Sequence, residues 1–385
     1  MVGKNLVLIC HLLLSALTHQ AWAHPPSANP DEVWESINQG WSGIYHQLIS
    51  EHLDPSSNYV VWSMIAPKTP LDLRKPDSFR SLLNQTTAKK RSISHNLVAW
   101  KCKLPNGEHL MGATGMSGEG SGQSEKMVKA GYGLTMFYAT FNDGWLSSSD
   151  FTSDIWKERG QNEEIYNVVV QVSSEDCLKM TNFLKKFVYH PSKPFTKFGL
   201  TVDPEKFEGG GCISLSSALL KKAGILKAML EKTERRLFAS LTLFGGNDLP
   251  LPERTKVPRV TWREGAPKKV GLNMFFGTNW NGGQKGVYLN LLDPELMIWG
   301  IKNLSSQLVQ HPRRVKKAQE RDGGGCSDRS QKKCRFHSVP IDNRFDHQAA
   351  KVASLAKAWK SQMMKQGYKM TLENLEGHPF LIFEK

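Results

Sequence analysis

The chain has 385 residues, 39% hydrophobic and 22% charged, so it can bury a large core and is not a disordered polymer. Its 32 Gly and 19 Pro are too few for a collagen-like or low-complexity architecture. Lys and Arg outnumber Asp and Glu by 50 to 36; the resulting net charge of +14 points to acidic partners but says nothing of the fold.

The N-terminus reads as a secretory signal. Lys4 supplies a positive start, Leu6 to Leu17 is mostly apolar, and Ala21-Trp22-Ala23 offers small residues at the positions that a signal peptidase needs. Cleavage after Ala23 removes Lys4 and takes the charge from +14 to +13. The apolar run falls short of the ~20 residues of a membrane span, and no later stretch approaches that length. The mature chain is therefore expected to be exported, periplasmic or secreted, with no transmembrane segment.

The next signals come in chain order. Asn29-Pro30-Asp31-Glu32 reads as a helix start, followed by apolar residues at helical spacing from Val33 to Ile49. Tyr59 to Ile65 predicts a strand, and Lys68 to Lys90 a polar loop with one short helix. Leu97 to Leu104 and Leu110 to Thr114 predict a hairpin around Asn106-Gly107, a strong turn signal. Gly115 to Gln123 reads as a flexible tract over a site; it lacks the Lys-Ser/Thr ending of a phosphate loop. Gly133 to Phe141 and Ile165 to Val172 predict further strands. Ser173 or Ser174 caps a helix carrying Met180, Phe183, Leu184 and Phe187. Gly209-Gly210-Gly211 leads into Cys212 and a helix that stops at Gly224. Arg236 to Phe244 and Gly286 to Leu292 predict strands, Arg313 to Arg335 a basic Gly-rich loop, and Asp346 to Gly367 an amphipathic helix. Asn279-Trp280-Asn281-Gly282-Gly283 reads as a plain turn, with sugar stacking on its neighbouring aromatics as the alternative. His52, His190, His311 and His347 read as surface residues.

Five cysteines follow the signal. Cys326 and Cys334 are expected to pair within their loop, and Cys102 and Cys177 across a sheet, as is common in exported chains. That leaves Cys212 as a reactive thiol, although pairing with Cys102 or Cys177 stays open as the alternative. No spacing of Cys and His points to a metal.

The placement of Cys212 has chemical consequences. A helix start, with its free N–H groups and positive dipole end, stabilises a thiolate and lowers the thiol pKa. Gly210 and Gly211 permit close backbone approach, and their N–H groups with that of Cys212 can face an oxyanion. The partner base is expected to be His95, at the start of the hairpin, with His109 roughly 30 Å away at its other end. Pairing Pro105 with Glu108 across the hairpin puts Gly118 opposite His95, so that Thr114, Ser117 or the following loop would orient the ring.

The segments SHNLVAWKC, GATG and FEGGGCISLSSALLKKAGI, in that order between Ser92 and Ile225, resemble circularly permuted members of the NlpC-type, papain-like cysteine hydrolase superfamily. The resemblance implies an α+β domain whose antiparallel sheet packs on the nucleophile-bearing helix, with Cys212 as nucleophile and His95 as general base. It also implies cleavage of amide bonds, often in peptidoglycan stem peptides, without a cofactor. Some permuted relatives act on lipid acyl groups instead. The expected organisation is signal 1–23, N-terminal helical segment 24–58, papain-like domain 59–244, irregular and β extension 245–310, basic loop 311–340, and C-terminal helical segment 341–385. The competing class is a non-catalytic exported protein that holds an anionic cell-envelope polymer or lipopolysaccharide on its basic surface. Export argues against nucleic acid as partner.

Overall fold

The computed structural model describes residues 27–66, 95–118, 123–161, 164–246, 249–257, 267–277, 285–305 and 343–385. The signal segment, the polar loop at 68–90, the turn at 279–283, the basic loop with Cys326 and Cys334, and the side chains of His311 and His347 lie outside the described residues.

Asn29 caps the first helix as expected: its side chain accepts from the Asp31 N–H, with Pro30 opening α1 (Pro30–Ile37). The single long helix expected from Val33 to Ile49 is instead two. The chain turns at Gly40, whose φ of 97° suits glycine, before α2 (Gly43–His52).

The centre is a six-stranded sheet built from β1 (Tyr59–Ala66), β2 (His95–Lys103), β3 (His109–Thr114), β4 (Glu164–Gln171), β5 (Lys369–Leu375) and β6 (His378–Glu384). Their spatial order is β5-β6-β4-β1-β2-β3. Every neighbour pair is antiparallel except β6 with β4, so the sheet is mixed where a purely antiparallel one was expected. The protein is thus α+β. The C-terminal segment, expected to be helical, contributes the β5–β6 hairpin after its helix. Glu376 and Gly377, both with positive φ, form the two-residue turn.

Alternation along β2 divides the core. Val98, Trp100 and Cys102 face one side, against α4 (Ser174–Tyr189), α5 (Cys212–Lys222), α6 (Pro294–Ser305) and α7 (Asn343–Lys365). Leu97 and Ala99 face the other, against α2 and α3 (Ser149–Gly160). Gly133 to Phe141 is not a strand: Leu134–Tyr138 forms a 3-10 helix, and only Thr140–Phe141 is extended. Its apolar residues pack around a small two-stranded sheet, Glu234–Ser240 with Gly286–Leu292, which matches the expectation for Gly286 to Leu292. A buried ion pair between Arg235 and Asp293 ties that sheet to the start of α6.

Cys102 and Cys177 form a disulfide that joins β2 to α4, rather than crossing the sheet. No described helix is long and apolar enough to cross a membrane. The disulfide is consistent with export.

Candidate functional site

Cys212 remains a thiol and opens α5. The three preceding glycines are buried, and contacts with their own chain account for them. A Cβ on Gly209 would lie 2.5 Å from the Lys197 carbonyl oxygen, and one on Gly211 would lie 3.0 Å from that of Gly199. Gly210 N–H donates to the Lys197 carbonyl at 2.9 Å, and Gly211 N–H to the Ser214 hydroxyl at 2.7 Å. These two amides are therefore engaged, contrary to the expected oxyanion role. The donors that reach the sulfur are the N–H groups of Asn96, Ile213 and Cys212 itself.

The sequence reading also expected a lowered thiol pKa. Burial of the sulfur pushes it up, and this outweighs the nearby Arg159 charge and the three N–H donors, all of which pull it down. Helix-end stabilisation acts on a thiolate, but removal from water penalises that thiolate more.

His95 opens β2 opposite Ile65, which in turn sits opposite Ile165 of β4. Its ring is partly buried, and Nε2 approaches Gly115 so closely that a Cβ there would lie 3.1 Å away. Burial, followed by the Arg159 charge, holds its pKa down near 3, so the ring is neutral at pH 7. His95 and Cys212 are brought to the same end of the sheet, since the sulfur accepts from the residue that follows His95. Strand alternation nevertheless puts Asn96, not His95, on the α5 face. Among the described residues, no hydrogen bond reaches the His95 ring.

The expected orienting residues lie elsewhere. The hairpin pairs Lys103 with His109 and Val98 with Thr114, one residue away from the expected register. The Thr114 hydroxyl donates to the Ser147 carbonyl at 2.8 Å. Ser117 belongs to a separate ribbon, opposite Trp145, and Gly118 lies against Phe198 instead of opposing His95. His109, paired at the turn end of the hairpin, is remote from Cys212.

Two residues missed by the sequence reading matter here. Arg159, in the last turn of α3, is partly buried, and its charge reaches both Cys212 and His95. A lone Arg at a helix C-terminus gives no sequence signal, because helix ends favour cations anyway. Asn96 is 1% exposed, and neither polar atom of its side chain has a hydrogen-bond partner. Ser216 of α5 bonds back to the Cys212 carbonyl at 2.7 Å and reaches the Asn96 carbonyl at 3.5 Å, tying helix and strand together.

The resting site thus holds a thiol, a neutral imidazole and a guanidinium charge at one end of a sheet. No group of His, Cys, Asp and Glu suited to a metal occurs among the described residues. Compared with protein-family models, with characterised proteins and with solved structures, the chain matches none.

Proposed function

We propose that the protein is an exported cysteine hydrolase acting on amide bonds, with peptidoglycan stem peptides as the substrate class implied by the papain-like resemblance. The observation that carries the reading is the sulfur of Cys212 at a helix start, outside any disulfide and beside the strand that His95 opens. As the Sγ–C bond forms, the thiol proton passes to the neutral His95 ring and the carbonyl electron pair moves onto oxygen. The N–H groups of Asn96, Ile213 and Cys212, together with the Arg159 charge, favour the anionic sulfur. Collapse breaks the C–N bond, and the imidazolium gives its proton to the leaving amine. Water then cleaves the thioester, releasing the acid and restoring the thiol. His95 and Cys212 lie at the same end of the sheet, and the reading requires the ring to reach the sulfur around the strand end once substrate is bound.

The test is hydrolysis of amide and ester substrates by Cys212→Ala and His95→Gln, with circular dichroism to verify the fold. Loss of at least about a thousandfold in each supports the reading. Undiminished activity in either sinks it.

The resting protonation state favours a second reading: a thiol with a raised pKa beside a neutral imidazole also suits a non-catalytic protein. In that case the net positive charge, +14 for the full chain and +13 without Lys4, would hold an anionic envelope polymer, and salt would weaken the binding steeply.

A further inference from the structure

We propose that His190 and Ser192 are positioning residues that fix the loop presenting Cys212, an inference that rests on Cys212 being the reactive group. The sequence reading leaves His190 on the surface, but the structure stacks its partly buried ring on Phe207 with centroids 4.4 Å apart and planes 7° from parallel.

Phe207 has a φ of 58°, a left-handed conformation that a bulky aromatic residue adopts only when its surroundings impose it. Phe207 closes the 3-10 turn Pro204–Lys206, its N–H donating to the Pro204 carbonyl at 3.1 Å, and three further contacts hold it there. His190 covers one side of the ring, Phe183 of α4 packs 6.1 Å away, and the Ser192 hydroxyl donates to the Phe207 carbonyl at 3.0 Å. His190 Nδ1 and Ser192 Oγ are themselves 2.8 Å apart, so ring and hydroxyl form one unit.

Downstream of Phe207 the chain has little freedom before the sulfur. Gly209 is at φ 143°, Gly210 N–H donates to the Lys197 carbonyl at 2.9 Å, and the Gly210 carbonyl accepts from Gly199 N–H at 3.1 Å. The segment from His190 to Gly199 therefore grips the segment from Phe207 to Gly210 at both ends. The His190–Ser192 end holds the strained residue, and the Lys197–Gly199 end holds the glycines. Release of the first end lets Phe207 return to an ordinary conformation, shifts the following loop and exposes more of Cys212, which is only partly exposed in the resting chain.

The experiment is timed iodoacetamide alkylation of the full chain, read on the Cys212 peptide by mass spectrometry, with circular dichroism on each variant. His190→Ala is expected to raise the Cys212 alkylation rate about tenfold, the order expected when one strained backbone residue relaxes. His190→Phe keeps the stacked ring and should stay within about twofold of the parent, a rescue that loss of general stability would not give. Ser192→Ala should raise the rate a fewfold and decides the matter if His190→Ala fails to fold. An unchanged rate in a folded His190→Ala, or in Ser192→Ala when His190→Ala fails to fold, overturns the proposal, as does a His190→Phe rate as high as that of His190→Ala. Alkylation needs only an accessible sulfur, so these outcomes are independent of hydrolysis. A strap that holds in a protein that cleaves nothing would sink the hydrolase reading alone.

Discussion

The sulfur of Cys212 accepts the backbone N–H of Asn96, the residue immediately after His95. One strand thus delivers the imidazole from its first residue and an anion-stabilising amide from its second, on opposite faces. The geometry makes the thiol depend on the position of β2 as much as on its own helix.

Alkylation of Cys212 should be slow at neutral pH. Burial raises the thiol above its ordinary 9.0, so the thiolate fraction at pH 7 is small and grows about tenfold per pH unit. A rate profile that still climbs through pH 9 is the expected result. A plateau near pH 6 would contradict the burial argument.

Arg159→Gln removes the cation that pulls down the pKa of both groups. The Cys212 thiol should rise further, and its alkylation at pH 8 should slow by about three- to tenfold. The His95 ring, relieved of a like-charge neighbour, should take a proton at a higher pH, observable as a shifted imidazole titration by NMR. Acceleration of alkylation would show that Arg159 acts through packing instead.

His95 should make the fold acid-sensitive. Its folded pKa of about 3 lies below the ordinary 6.5, so between those values the unfolded chain binds the extra proton. Its contribution to stability is intact above about pH 6.5 and declines as pH falls towards 3. Urea melts at pH 7 and pH 4 should differ less in His95→Gln than in the parent.

The Cys102–Cys177 bond closes a 75-residue separation. Removing it through a Cys102→Ala, Cys177→Ala double variant should cost roughly 4 kcal/mol, because the unfolded chain regains loop entropy. Denaturant midpoints measure this directly, and an unchanged midpoint would show that α4 and β2 hold each other without the crosslink.

Arg235 and Asp293, 8% and 9% exposed, form an ion pair away from the candidate site. Arg235→Leu should cost about 3–5 kcal/mol, since it strands a buried carboxylate. Arg235→Leu with Asp293→Leu should recover most of that loss. A double variant no better than the single one would place the cost in packing.

Local signals were legible where neighbours in sequence are also neighbours in space. Asn29 capping, the Asn106-Gly107 hairpin, the Ser173 cap and the helix start at Cys212 each need only a few adjacent residues. The β5–β6 hairpin had such a signal too, in the alternating Met370, Leu372 and Phe380, Ile382 around Glu376-Gly377. It was missed because the turn is not a familiar Asn-Gly or Asp-Gly. The hairpin register slipped by one residue because Glu108 pairs with Leu104, whose N–H donates to its carbonyl at 2.7 Å, and Pro105 lies inside the turn.

By itself, the sequence determined the Asn29 and Ser173 caps, the strand Tyr59–Ile65, the hairpin around Asn106-Gly107 and the position of Cys212 at the head of a helix, since caps, turns and short periodic runs are properties of short stretches. Only the tertiary structure decided the parallel insertion of the C-terminal hairpin beside β4, the engagement of the Gly210 and Gly211 amides, and the convergence of Arg159 on Cys212 and His95. It also decided the protonation state of the site, because desolvation depends on everything packed around an atom and is written in no single segment of the chain.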